Sequence, residues 1–281
     1  MMIIKFQGGL GNQMFQYALY RKLQYLGKEV YADIYTYLDG KEKKEFELYK
    51  FGINLRLAEK RYCERLSGIS SNYIKKIRYM LFPVHTYLKE TDLYYKKDIF
   101  DKLNLYLNGY WQSEKYFFDI REVLIDEFKF PSMESELGEK YKNEILFTNS
   151  VSIHIRLGDY LDHPDIYGGI CTRDYYYRAI EYIKKQIVNA HFYVFSNDII
   201  AAKDMFQGTE FTFIECENIR QQGLRDLELM SLCKHNIIAN SSYSWWGAWL
   251  NENREKCVIA PRKWLNDIKV EDIWCQGWTV I

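Results

Sequence analysis

No surplus of charge of either sign marks this chain. Lys plus Arg equals Asp plus Glu, 38 against 38 in 281 residues. Without a basic excess to set against phosphates, the balance argues against a general nucleic-acid binder. Six cysteines, at positions 63, 171, 216, 233, 257 and 275, form no CxxC pair, and no histidine stands at a ligand offset from a cysteine pair. That spacing argues against zinc and leaves reduced, buried thiols as the expectation. Long apolar runs are missing too. The N-terminal MMIIKFQGG is too short for the apolar stretch of a signal peptide. No window approaches the roughly 18 apolar residues of a membrane span. A soluble, cytoplasmic chain without internal repeats or low-complexity tracts is expected.

What is present is a large apolar fraction, 48%, and a high aromatic one, 17%, with 25 Tyr and 7 Trp. Flat rings suit sugar faces, but composition alone points first to a tyrosine-rich core. The length allows two domains. Met2 to Phe6 reads as a short strand, followed at once by Gly8-Gly9-Leu10-Gly11-Asn12-Gln13. A helix then carries Met14, Ala18, Leu19, Leu23 and Leu26 at helical spacing, with Gly27 as its C′ residue. Val30 to Ala32 restarts as a strand, giving a βαβ opening with a glycine-rich turn. Helical segments are expected near 58–67 and 72–81, the second stopped by Pro83. A further strand is expected over 104–110 and helix over 113–128. Residues 131–149 are polar and acidic and read as a linker, which divides the chain into 1–145 and 146–281.

The second half alternates more regularly. Strands are expected at 151–155, 191–195, 211–214, 236–239 and 257–260. Helices fall between them at 172–185, 199–206, 223–235 and 243–251, with Thr172 as an N-cap. Such alternation builds a parallel sheet covered by helices, and ligands of open α/β sheets bind at the carboxyl ends of the strands. Three of these ends carry polar clusters: His154/Arg156/Asp159, Ser196/Asn197/Asp198 and Asn240/Ser241/Ser242. Parallel strands bring all three to one sheet edge. A single such cluster would mean little, and VSIHIRLGDY (151–160) alone reads equally as a strand end with a solvated Arg–Asp pair.

The converging groups suit a nucleotide diphosphate. Arg156 offers a planar, permanently charged fork for phosphate oxygens. Ser241 and Ser242 precede helix 243–251, whose first N–H groups form an anion site. Asp198 suits the N1–H and N2–H₂ donors of a guanine. Plain N-capping explains the two serines and Asp198 equally well. Gly8-Gly9-x-Gly11 departs from GxGxxG, because Leu10 and Gln13 stand where glycines would, so the dinucleotide fingerprint fails. The glycines still let backbone approach a ligand, and Asn12 and Gln13 present amides there. Trp245, Trp246 and Trp249 are expected mainly in the core. No DxD metal hook occurs; Asp226-Leu227-Glu228 comes nearest, but i and i+2 diverge on a helix. No metal is therefore expected, and Arg156 with the helix N-terminus is left to carry the diphosphate charge.

Three stretches together, GGLGNQMFQYA (8–18), HIRLGDY (154–160) and NSSYSWWGAW (240–249), resemble the bacterial α-1,2-fucosyltransferases of glycosyltransferase family 11. GYWQSEKYF (109–117) is similar to that family as well. The resemblance implies a GT-B-like α/β fold of two Rossmann-type domains facing across a cleft, the second binding the donor and the first serving the acceptor. It implies GDP-β-L-fucose as donor, with the 2-hydroxyl of a terminal galactose, in an oligosaccharide or lipid-linked glycan, as acceptor. Inversion without a metal or other cofactor is implied too. By motif match Arg156 would hold the β-phosphate, His154 and Asp198 the guanosine, and Ser241 and Ser242 phosphate. Gly9 and Gly11 would line the donor. Asn12, Gln13 and Trp111 would position acceptor or fucose. The family motif commonly reads HxRRGD, and Leu157 replaces its second arginine, on the side of the strand away from His154 and Arg156.

Asp159, three residues beyond Arg156, is the candidate base for the acceptor proton, and a role in orienting Arg156 or a backbone turn is the rival reading. A lipid-linked acceptor would place the protein against the inner face of the membrane. Within glycosyltransferases the nearest rival is a fucosyltransferase of another linkage, and two rival classes remain. A nucleotide-dependent oxidoreductase fits the βα pattern but wants a true GxGxxG. A lectin-like module fits the aromatics but not an arginine at a parallel strand end.

Overall fold

The computed structural model describes residues 1–132, 135–157, 163–215, 219–268 and 270–281, with backbone alone for 219–221. The chain divides into two α/β units. The first comprises Met1–Lys129 with Glu271–Ile273, the second Phe130–Val270 with Trp274–Ile281.

In the first unit β1 (Met2–Lys5) leads into α1 (Leu10–Tyr25), then β2 (Val30–Asp33), α2 (Tyr35–Leu38), α3 (Lys60–Ser67), α4 (Tyr73–Leu81), β3 (Tyr87–Lys89), β4 (Leu105–Asn108) and α5 (Arg121–Glu127). The strands are parallel in the order β2-β1-β4-β3. β1 is central and buried on both faces, which is why Ile3 and Ile4 are both fully covered. Helix α1 ends as expected, with Gly27 at φ +73°. The expected helix over 113–128 is broken into two 3₁₀ turns (114–116 and 118–120) before α5. Ser113 caps the first turn by accepting from the Lys115 amide.

In the second unit α6 (Glu136–Phe147) precedes β5 (Asn149–Ile155), α7 (Pro164–Tyr167), α8 (Arg173–Gln186), β6 (Ala190–Ser196), α9 (Ile199–Lys203), β7 (Phe211–Phe213), α10 (Ile219–Leu232), β8 (His235–Ile237), α11 (Ser242–Leu250), β9 (Val258–Ala260) and β10 (Thr279–Val280). The expected linker over 131–149 is therefore corrected. Ser135 caps α6 through its hydroxyl, Gly138, Tyr141 and Ile145 are buried on one face, and Lys142 reaches Glu228 of α10 at 3.3 Å. The helix belongs to the second unit, so the units part at 129/130, ahead of the expected 145/146.

All six strands of the second sheet are parallel, in the order β10-β9-β8-β5-β6-β7. Counted from β5, this is the doubly wound order in which the chain first builds outward through β6 and β7, then returns to the other side of β5 with β8. The switch point lies between β5 and β8. Val151, Ile153 and Ile155 pack with Tyr175, Tyr176, Ile180 and Phe192 in the core beneath α8. Among the described residues, no helix is long and apolar enough to cross a membrane.

Candidate functional site

The switch point of the second sheet joins two of the polar clusters. β5 ends in Ile155, so Arg156 leaves the sheet at its carboxyl edge, partly exposed. β8 runs toward Asn240, Ser241 and the start of α11. His154, just inside the edge, is buried. Its carbonyl accepts from the Tyr176 hydroxyl at 2.9 Å, and its ring lies 5.5 Å from that of Tyr243 on α11. Its Nδ1 has no hydrogen-bond partner among the described residues. Burial, followed by the Arg156 charge, pushes its pKa down to about 3. The imidazole is thus neutral at physiological pH, able to donate at one nitrogen and accept at the other.

Asn240 sets the entry to α11. Its Nδ2 donates to the Trp264 carbonyl at 3.1 Å, and its backbone N–H reaches the Cys171 sulfur at 3.3 Å. Ser241 occupies the N-cap position, yet its side chain makes no capping bond. The N-capping explanation of Ser241 is therefore not the one realised, and its side chain leaves the first amides of α11 uncapped. A helix N-terminus in that condition carries partial positive charge toward whatever lies before it. Ser242 is partly exposed beside it.

The third strand end behaves differently. Asp198 is exposed, and its Oδ1 accepts from the Ala201 amide at 3.1 Å, capping α9. Capping, the alternative expected for this residue, is its observed task. Asn197, which the sequence reading left without a role, binds Leu157 reciprocally: Leu157 N donates to Asn197 Oδ1 at 2.9 Å, and Asn197 Nδ2 donates to the Leu157 carbonyl at 3.1 Å. Leu157 itself packs against the apolar cluster, as its place in the strand alternation requires. Asp159 lies outside the described residues.

A buried polar pair on α10 was not foreseen. Asp226 and Arg225 are 8% and 5% exposed. Burial pushes the Asp226 carboxyl up to about 7, with Arg225 opposing. Glu228 turns away to Lys142, so the nearest DxD-like pair diverges as expected. Tyr243, which faces His154, also donates through its hydroxyl to the Gly223 carbonyl one turn before Asp226. Among the described residues, no three His, Cys, Asp or Glu side chains gather as a metal site, and none of the five described cysteines forms a disulfide.

In the first unit the carboxyl ends of β1 and β4 meet. Gly8 takes φ +80°, and a Cβ there would sit 2.6 Å from Asn12 Nδ2, so glycine is required. Gly9 caps α1 in extended conformation, and Gly11 lies buried in its first turn. Asn12 Oδ1 accepts from Gln112 Nε2 at 2.7 Å, tying the two strand ends together. Gln13 is corrected from a substrate contact to a structural tie. It is fully buried; its Nε2 donates to the Gly8 and Glu45 carbonyls, both at 2.8 Å, and its Oε1 accepts from the Glu47 amide at 2.7 Å. Trp111 is corrected likewise. It is fully buried, edge-on to Tyr116, and offers no surface to a sugar.

The backbone of Trp111 nevertheless marks this edge. Its φ of 57° is unfavourable for so bulky a residue, and Glu90 holds it there. The Glu90 carboxylate, just past β3, accepts from the Tyr110 amide at 2.6 Å and from the Trp111 amide at 3.1 Å. Burial outweighs these amides and raises the Glu90 pKa from the usual 4.5 to about 7. The folded state therefore binds this proton more tightly than the unfolded chain does. Stability should fall as pH rises from about 4.5 to 7, by on the order of 3 kcal/mol, and level off above. Urea unfolding across that window should show the slope in the wild type and lose it in Glu90→Gln; an unchanged slope in the variant refutes the assignment.

Fold and strand-edge chemistry together define a class: an α/β protein whose second sheet presents a partly exposed guanidinium, a neutral imidazole and a helix N-terminus that its N-cap side chain leaves uncapped at its switch point. The chain belongs to glycosyl transferase family 11, whose family model matches residues 1–281. This confirms the resemblance carried by the three sequence motifs. The chain is 32% identical over 300 residues to the O-antigen biosynthesis glycosyltransferase WbnK of Escherichia coli, covering 96% of this chain and 97% of that one. It is 34% identical over 276 residues to an alpha-1,2-colitosyltransferase of Escherichia coli, covering 93% and 91%. Over 153 residues it is 23% identical to the galactoside 2-alpha-L-fucosyltransferase SEC1 of Bos taurus, covering 51% and 41%.

Proposed function

We propose that the protein transfers L-fucose from GDP-β-L-fucose to the 2-hydroxyl of a terminal galactose in a glycan, inverting the anomeric centre. The observation that carries the reading is the switch point of the second sheet, where the neighbouring strands β5 and β8 lead to Arg156 and to the α11 N-terminus in a member of family 11. The acceptor oxygen attacks C1 from the face opposite GDP, the C1–O bond to the diphosphate breaks, and its electron pair passes to the β-phosphate. Arg156, Ser241, Ser242 and the N-terminal amides of α11 stabilise that growing charge without a metal ion. Neutral His154 hydrogen-bonds the donor beside them without adding positive charge. The acceptor hydroxyl loses its proton to a base, for which Asp159 is the candidate by sequence. The first unit serves the acceptor, with Asn12 at the edge where β1 and β4 end.

The similarity to a colitosyltransferase supports a second reading in which the transferred sugar is colitose. One experiment separates them. Lactose is incubated with GDP-fucose or GDP-colitose in the presence of EDTA, and the product linkage is read by NMR. A fucosyl-α-1,2-galactose product supports the proposal. Transfer from GDP-colitose alone moves the assignment to the second reading, another fucose linkage overturns the α-1,2 assignment, and loss of transfer on chelation overturns the metal-free mechanism.

A further inference from the structure

Helix α4 (Tyr73–Leu81) is well formed yet buries none of its nine residues. Asn72 caps it, its Oδ1 accepting from the Ile74 and Lys75 amides at 3.0 and 3.1 Å. Lys75 fastens it to α3 through Glu64 at 2.7 Å. Tyr79, half-buried near Gly68, marks the side turned toward the protein. The apolar residues lie elsewhere. At about 100° per residue, Met80, Tyr73, Ile77, Leu81 and Ile74 share an arc of about 120°. That arc faces solvent: Ile74 is 77% exposed, Met80 75% and Leu81 63%. Ile69 before the helix and Phe82 after it are exposed as well. An ordinary surface helix shows the reverse arrangement, and an apolar patch of this kind marks an interaction surface.

Charge identifies what the patch fits. Lys76 stands at one edge of the apolar arc and Arg78 at the other. Residues 65–89 contain Arg65, Lys75, Lys76, Arg78 and Lys89 but no Asp or Glu, in a chain whose charges otherwise balance. Long cationic side chains flanking an apolar stripe reach outward to phosphates while the stripe sits below them. A second copy of this chain, docking face to face through a twofold axis, would instead set these cations against themselves. We infer that α4, with Ile69 and Phe82 at its ends, is a membrane-surface anchor that seats its apolar arc among the headgroups of an anionic lipid leaflet.

So short an element gives reversible attachment that weakens with salt. Binding of the full chain to vesicles of phosphatidylcholine with about 30 mol% phosphatidylglycerol, followed by flotation, tests it. The wild type should bind these vesicles at least about tenfold more tightly than pure phosphatidylcholine, and binding should drop similarly at about 0.5 M salt. Ile74→Ser with Met80→Ser, and separately Lys76→Glu with Arg78→Glu, should each weaken binding about tenfold, while circular dichroism and thermal midpoint stay as in the wild type. Wild-type binding that is absent or indifferent to lipid charge overturns the inference, as do variants that bind like the wild type. A wild-type dimer dissociated by the serine substitutions would overturn it too, assigning the face to a second copy. No donor or acceptor enters the test, so its outcome is independent of the proposed reaction.

Discussion

Replacing Arg156 by alanine should reduce sugar transfer by about a thousandfold or more and leave the second unit folded. The core of the second unit is built from other side chains. β5 is held by Val151, Ile153 and Ile155 in the core, and Arg156 begins only after the strand has ended, partly exposed. Under the proposed mechanism the chemistry does depend on it, because the electron pair released from C1 must settle on the leaving diphosphate. Arg156→Lys keeps the charge but loses the two-pronged donor, and an intermediate loss is expected. Ser241→Ala is the informative comparison. Its hydroxyl makes no capping bond, so the substitution should leave the unfolding midpoint unchanged while weakening GDP binding severalfold. Steady-state transfer, GDP titration and urea unfolding measure the three quantities. An Arg156→Ala enzyme within tenfold of the wild type would remove the proposed donor site.

Much of the second unit was legible because its strands are buried on both faces. Apolar runs such as FYVF (192–195) are long enough to stand out against the helices between them. The ends of those strands were legible for the same reason, since a histidine, an arginine and an Asn-Ser-Ser run interrupt an otherwise apolar pattern. β3 escaped notice because it has three residues, none fully buried, and α6 because only one narrow face of it is apolar. Within the site, residue type could not say which side chains were already engaged. Gln13 and Asn12 look alike in sequence, yet Gln13 has every group occupied by backbone at Gly8, Glu45 and Glu47. Asp198 had two readings, and the structure shows the capping one, made through a single carboxylate oxygen to the Ala201 amide. Glu90 was invisible for a different reason. Its task arises from a backbone turn at Tyr110 and Trp111, twenty residues away, that no local pattern announces.

The largest stability loss is expected from Asn236→Ala, at on the order of 3–5 kcal/mol. Asn236 is fully buried on β8, in register with Ser152 of β5, at the very pair of strands that forms the switch point. Its Nδ2 donates to Ser152 Oγ and to the Met230 carbonyl of α10, both at 2.8 Å. Its Oδ1 accepts from Asn251 Nδ2, also at 2.8 Å, and Asn251 in turn donates to the Cys233 carbonyl at 2.7 Å. One side chain therefore joins two strands, α10 and the end of α11. Alanine would leave the Ser152 hydroxyl and the Met230 carbonyl short of a buried donor and open a cavity among them. Asn236→Asp should be at least as damaging, because it buries a charge and turns an acceptor toward the Met230 carbonyl. Six of the seven tryptophans, all but Trp111, lie in the second unit, so urea unfolding followed by tryptophan fluorescence reports on it directly. Asn251→Ala should cost less alone, and the double variant less than the two losses added, because the residues share one bond. A loss below about 1 kcal/mol for Asn236→Ala, or strict additivity in the pair, would mean that this network does not hold β8 in place beneath Ser241.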